Sequence, residues 1–380
     1  MLLPPEPSAG ISEHFSELED PRIDRTKRHL LIDIVVIAIC AVTCAAETWV
    51  DVENFGKAKL KWFKRFLELP NGIPSHDTFG RVFNRLDAEQ FQRCFLGWMQ
   101  AVSDVFKGQV VAIDGKKLRR SHDKRIGKDA IHMVSAWALE NQFVLAQVKV
   151  DKKSNEITAI PQLLKALAIS GCIVTIDAIG CQKKIAKQIV DQEADYVLAL
   201  KENQGGLYKA VEDLFDYARE TAFADADYHK TINKDHGRIE IGECWTISTP
   251  DYLAFLPKRS AWPGLQTIVM VKSERRLEHK TSVKVRYYIS SLADGARQHL
   301  NAIRSHWGIE NQVHWVLDVA FREDDCRIRK ENGPQNFAIL RHIALNLLKQ
   351  EKTAKCGIKA KRLKAGWDQD YLLKVLSGLF

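Results

Sequence analysis

The spacing of apolar residues changes several times along this chain. Up to about residue 100 they recur at helical intervals. An unbroken apolar run, "LLIDIVVIAICAVTCAA" at 30–46, is followed by "VENFGKAKLKWFKRFLEL" and "IPSHDTFGRVFNRL". The second stretch sets Phe55, Leu60, Phe63, Phe66 and Leu67 near one face with lysines opposite, the pattern of one amphipathic helix with a basic flank. In the third, Pro74 and Ser75 read as a helix start, and Arg81 and Arg85 fall one turn apart behind them. Such a helix has the shape to enter a DNA groove, although an arginine pair on a packing helix reads the same way.

From residue 109 the pattern becomes that of strands: "QVVAID", "HMVSAWALE", "QFVLAQVKV", "CIVTID" and "DYVLALK", with helical "AIPQLLKALAI" and "QKKIAKQIVDQ" between the later ones. This order predicts an α/β fold with a mixed sheet and helices packed on it. Residues 216–291 break the alternation with further strands and no good helix, a β-rich insertion. Helix returns in "DGARQHLNAIRSHWGIENQVHWVLDVAF" and "NFAILRHIALNLLKQ". The expected organisation is a helical N-terminal domain over 1–100, a core from 101–215 and 292–350 interrupted by the insertion, and a basic C-terminal tail, 351–380. That tail carries Lys355, Lys359, Lys361, Arg362 and Lys364 and reads as a solvated or phosphate-facing arm.

Composition narrows the class. With 380 residues, 46% of them apolar, the chain can bury a substantial core in two or three lobes. Its formal charge of +8 favours a polyanionic partner. Eight cysteines without a Cys-x-x-Cys pair suggest neither a zinc ribbon nor a disulfide framework. The run at 30–46 contains Asp33 and falls short of the roughly 20 apolar residues of a span, so it is expected to be a core helix. Neither a membrane span nor a signal peptide is expected, and the location implied is the cytoplasm.

Two strands share a grammar. "VVAIDG" and "IVTIDA" each end on an aspartate, Asp114 and Asp177, and an apolar strand does not bury an unpaired charge cheaply. Each carboxylate is expected at a strand end facing a crevice, although an aspartate that caps a turn reads alike. To hold magnesium against a phosphodiester such a pair needs a third acid. Glu310 is the candidate: on a helix it shares a stripe with His306 and His314. Asp318 is the rival acid, and the "REDD" run at 322–325 reads as surface or loop. Trp307 and Trp315 read as packing residues.

The stretches "AIDGKKLRRS", "KSNEITAIPQLL", "TIDAIGCQ", "DYVLALKENQ", "HGRIE", "RYYISS" and "HWGIENQVHWVLDVAFREDD" together resemble bacterial insertion-sequence transposases of the DDE superfamily, in the group that includes the H-repeat-associated proteins. The resemblance runs through nearly the whole chain. It implies a ribonuclease H-like core in which Asp114 ends the first strand, Asp177 the fourth, and Glu310 lies on a late helix after the insertion. It further implies two magnesium ions about 4 Å apart on these carboxylates, with manganese able to substitute. The partner is then double-stranded DNA, both element ends and target, met by a homodimer in the cytoplasm at the nucleoid.

Lys116, Lys117, Arg119, Arg120, Lys124, Arg125 and Lys128 would then neutralise phosphates entering the site, as would Lys183 and Lys184. Related transposases carry a tyrosine, an arginine and a lysine around the glutamate. Here those positions are Ile303, His306 and Leu317, so Arg304, His306, His314 and Arg322 are the candidates for supporting contacts. The alternatives are an inactive DNA-binding remnant of a mobile element and a metal-dependent nuclease on the same core. A zinc hydrolase built on His306, Glu310 and His314 lacks further ligands.

Overall fold

The computed structural model of the protein describes residues 13–102, 108–122, 129–140, 142–150, 155–235 and 237–377. Helix α1 (Leu31–Thr43) is buried from Asp33 to its end, as its apolar run predicts. No described helix is long and apolar enough to cross a membrane. The acid inside α1 is accommodated locally: Asp33 accepts the Leu69 N–H at 3.0 Å, and burial lifts its carboxyl above the ordinary range.

The second amphipathic stretch is not one helix. It divides into α2 (Trp49–Ala58), opened by a capping box of Thr48 and Asp51, and the single turn α3 (Leu60–Phe63). The break at Lys59 turns Trp62 and Phe63 into the core, where they are 3% and 0% exposed. Aromatic burial here overrides a continuous helical pattern. Ser75 caps α4 (His76–Arg85) through the Thr78 N–H, as expected, and α5 (Ala88–Val102) completes the helical region.

Strands β1 (Val110–Lys117), β2 (His132–Ala138) and β3 (Phe143–Lys149) form an antiparallel meander. The chain then crosses through α6 (Glu156–Ala166) to β4 (Ile173–Ile176), which lies parallel to β1, and through α7 (Lys183–Asp191) to β5 (Asp195–Leu200), parallel to β4. This is the ribonuclease H-like mixed sheet with helices on its faces. Helix α8 (Gly205–Glu220) runs past residue 216, where only strand was expected.

The strands that follow are β6 (Asp227–Asp235), β7 (Arg238–Ile247), β8 (Thr267–Leu277) and β9 (Lys280–Ser290), with the short α9 (Pro250–Ala254) among them. They make no separate sheet. Because β9 pairs antiparallel with β5, the order among the described residues is β3-β2-β1-β4-β5-β9-β8-β7-β6, one continuous sheet of nine strands.

Helix α10 (Ala296–Ile309) lies on this sheet, passes through a π-helical turn (Glu310–His314) and continues as α11 (Trp315–Phe321). Helix α12 (Gly333–Gln350) is buried over almost its whole length and packs against α1, which joins the helical region to the core. The basic tail is not an arm. It folds as α13 (Ile358–Trp367) and α14 (Gln369–Ser377), and two of its cations turn inward. Arg362 donates to the carbonyls of Val42 and Ala320 above the Phe321 ring, and Lys361 donates to the Leu348 carbonyl at 3.0 Å. Carbonyls left over at helix ends claim them, which no local charge pattern announces. Lys355, Lys359 and Lys364 remain exposed.

Candidate active site

The β1–β4 ladder pairs Val110–Ile113 with Ile173–Ile176, residues that are all apolar except Thr175 and almost all buried. Asp114 and Asp177 are the residues immediately beyond it, at the carboxyl side of adjacent parallel strands, where open α/β sheets place their crevices. Asp114 does not end its strand. β1 goes on pairing with β2 as far as Lys117↔His132, and only its other edge is released at Asp114. Asp177 does follow β4 directly and also caps a short turn, its Oδ1 accepting the Ile179 N–H at 3.0 Å and the Gly180 N–H at 3.4 Å.

Glu310 approaches from the far side on the first residue of the π turn. Asp114, Asp177 and Glu310 line one cavity of about 220 Å³, together with Thr175, Lys201, Arg286, His306 and Trp307. The π turn also disperses the expected stripe. His314 is buried while Glu310 is exposed, because an i→i+5 turn rotates the following residues relative to an α-helix. Such insertions into helices occur frequently at functional sites.

Negative charge dominates around Asp114. Burial, reinforced by the neighbouring Asp177, Glu156 and Glu310, pushes the Asp114 carboxyl up to about 7, and the Gly115 N–H bonded to it at 2.9 Å offsets only part of this. Burial also raises Asp177. His314 Nδ1 lies 3.6 Å from Asp114, but burial draws His314 and His306 down to about 4. Burial thus favours the neutral form of both imidazoles at neutral pH. His306 is instead bonded to the Thr175 hydroxyl of β4 at 3.2 Å, which fixes α10 against the sheet.

The raised carboxyl has a consequence for the metal-free protein. A folded pKa of about 7 against an ordinary 3.8 means that stability falls as pH rises from 4 through 7, because ionisation is easier in the unfolded chain. At about 1.4 kcal/mol per pKa unit the full effect is roughly 4 kcal/mol, and partial solvation reduces it to about 2. Asp114→Asn should accordingly gain about 2 kcal/mol over wild type above pH 7 and nothing near pH 4, by urea unfolding in chelator. A gain independent of pH would show that the carboxyl is not strained.

The cations behave differently from the sequence-based expectation. Lys116 is turned inward: its Nζ binds Asp318 at 2.6 Å, Glu323 at 2.7 Å and the His314 carbonyl at 3.3 Å, with its side chain only 12% exposed. The "REDD" run is likewise not surface throughout, since Glu323 is buried between Lys116 and Arg341. Arg119 and Arg120 are exposed and pair with Asp324 and Asp325, each at 3.2 Å, while Lys117, Lys183 and Lys184 are exposed. Lys124, Arg125 and Lys128 lie outside the described residues.

Arg81 and Arg85 are exposed on α4, and Arg81 lines a different groove. Arg304 is held by the Thr231 hydroxyl at 2.8 Å and lines grooves beside the cavity, and Arg322 pairs with Glu47 and Asp325, each at 3.4 Å. Trp315 is 60% exposed, so it is not a packing residue. Glu156 was not anticipated. It pairs with His132 at 2.8 Å, and a Cβ on Gly115 would lie 2.2 Å from its Oε1, so the glycine after Asp114 is what admits this fourth acid. An Asp-Gly pair at a strand edge, followed later by a capped acidic helix start at Asn155, is the signal that could have found it.

Among the described residues no three His, Cys, Asp or Glu side chains form a ready-made metal cage. An oxygen-only set with several uncompensated acids fits magnesium, which keeps waters and completes its shell with substrate phosphate, better than it fits zinc.

A family model described as transposase DDE domain matches residues 106–347, and a DDE_Tnp_1-associated model matches residues 12–99. Among curated proteins, the H repeat-associated protein YhhI of Escherichia coli strain K12 is 42% identical over 372 residues, 97% of this chain and 98% of its own. The protein YbfL of the same strain is also 42% identical over 372 residues, with the same two shares. Among solved structures, a piggyBac transposase synaptic complex with hairpin DNA aligns with a TM-score of 0.44 at 11% identity, over 97% of this chain and 76% of that one.

Proposed function

Because this chain belongs to the family of transposases with a DDE domain, in its H repeat-associated group, we propose that it cuts DNA at the ends of an insertion sequence and joins the 3′-hydroxyl ends to target DNA. The observation that carries this reading is the convergence of Asp114, Asp177 and Glu310, from two adjacent parallel strands and a π turn, on one cavity.

In this reading the three carboxylates hold divalent metal, with magnesium the native ion and manganese a substitute. A bound divalent cation would supply Lewis-acid polarisation of the scissile phosphate and ease deprotonation of the attacking hydroxyl. The chain's own contribution is positional. Asp114 must lose its proton to bind a cation, so cation binding and cleavage should strengthen as pH rises through about 7. Neutral His306, bonded to Thr175, keeps α10 and hence Glu310 at a fixed height over β4. No side chain need become covalently attached to DNA. Two element ends must be brought together, for which a homodimer on DNA is the natural assembly.

The test is a plasmid bearing the element's own ends, incubated with protein and magnesium and then with pre-nicked ends plus target plasmid. Nicking at the ends and joining to target is the expected result. Nicking without joining would leave a metal-dependent nuclease, and DNA binding without either would leave an inactive remnant.

A further inference from the structure

Beside α10 one face of strands β7 to β9 is left open next to Glu310. Strand alternation places Cys244, Val269, Val271 and Tyr288 on that face, where they are buried together with Leu300 and Ile303 of α10. The same face continues along the flank of α10, where a Cβ on Gly242 would lie 3.6 Å from Leu300. Gly242 stands opposite Ser273, Ser273 opposite Lys284, and Arg275 opposite Ser282. These residues line a groove of about 480 Å³ that shares Arg286, Trp307 and Glu310 with the catalytic cavity.

Cations outnumber acids on this shelf. Among the described residues no ion pair joins Arg275, Lys284 or Arg286 to an acid; of the acids on the groove Glu240 pairs with Arg238 at 3.0 Å and Glu274 with Arg276 at 2.5 Å, and Glu310 stands at the end shared with the cavity. On the opposite face of the same strands, by contrast, Lys230 and Lys272 both bind Glu243, each at 3.3 Å. Arg286 lies over the Trp307 ring, 5.2 Å from its centroid, so this cation is held rather than free to swing. Gly242, Ser273 and Ser282 keep the surface between the cations low, as close approach of another backbone requires. Lys284 and Arg286, two residues apart on one strand, are separated by about 7 Å along it. That spacing lets each meet a different phosphate of an extended strand.

We propose that this shelf binds the sugar–phosphate backbone of the DNA strand that enters the cavity of Asp114, Asp177 and Glu310. The proposal rests on the transposase reading and assigns the phosphate-binding role to the sheet extension rather than to Lys116.

Full-length protein titrated with a fluorescein-labelled DNA duplex of arbitrary sequence, at several potassium chloride concentrations and without divalent metal, reads this interaction directly. The triple variant Arg275→Gln/Lys284→Gln/Arg286→Gln should flatten the slope of log affinity against log salt by about 2 to 3, near 0.9 for each phosphate no longer neutralised. The exposed single change Lys284→Gln should flatten it by about 1. A control of equal charge on the opposite face, Lys230→Gln/Lys272→Gln/Arg276→Gln, should keep the wild-type slope. Wild-type slopes in both shelf variants, or an equal flattening in the control, would overturn the shelf. Protein that cuts element ends but shows no shelf effect keeps the transposase reading and loses this one, whereas wild-type protein that binds no DNA at low salt overturns both.

Discussion

Nicking of element ends by the Glu310→Gln protein is expected to fall by about 10³-fold or more, equivalent to at least about 4 kcal/mol of transition-state stabilisation, with DNA affinity nearly unchanged. The same loss is expected for Asp114→Asn and Asp177→Asn. The reason is charge. Each substitution keeps the shape of the side chain and removes one of the anionic oxygens that draw a divalent cation into the cavity, while the shelf cations that meet phosphate are untouched. The three substitutions should also be far from additive, because one missing carboxylate already disables the unit that the other two belong to. Quantitative gel analysis of nicked plasmid checks this, and wild-type-like nicking by any one variant would remove that residue from the site.

Lys116→Met is expected to destabilise the fold by about 3 to 5 kcal/mol and to leave the salt dependence of DNA binding unchanged. The lysine is the only cation directly bonded to both Asp318 and Glu323 among the described residues, and Glu323 is 2% exposed, so its removal leaves a buried carboxylate with only the Arg341 guanidinium, at 3.8 Å. It also holds the His314 carbonyl, at the end of the π turn that Glu310 begins. Lys116 thus ties the strand of Asp114 to the turn of Glu310, and its loss should lower activity through misplacement as well as through unfolding. Urea unfolding gives the first quantity and a salt titration the second. A stable variant whose salt slope flattens by about 1 would instead mark Lys116 as a phosphate ligand.

The outcome for Lys116 illustrates what the sequence conceals. Its side chain stands in a run of cations, and local charge patterning reads such a run as a solvated surface. Its true partners lie 202 and 207 residues away, a separation that no local pattern encodes. Arg362 is the same case, with its Val42 carbonyl 320 residues distant. The strands and their two aspartates were legible because an apolar run that ends on a carboxylate is costly anywhere except at a crevice. The third acid was legible as a residue but not in its setting: a π turn breaks the 3.6-residue period on which the His306–Glu310–His314 stripe depends.

Pairing β9 with β5, which turns an expected insertion into an extension of the sheet, depends on register between strands nearly a hundred residues apart. The shelf was invisible for the same reason. Lys284 and Arg286 acquire their meaning only once α10 is known to run beside them and Glu310 to share their groove.

Binding of manganese to the DNA-free protein, followed by electron paramagnetic resonance, reads whether the three carboxylates share a divalent cation. Wild-type protein should bind the ion more tightly as pH rises through about 7, and Asp114→Asn, Asp177→Asn and Glu310→Gln should each weaken binding by about 10- to 100-fold. Manganese binding that all three substitutions leave at wild-type strength would contradict that sharing.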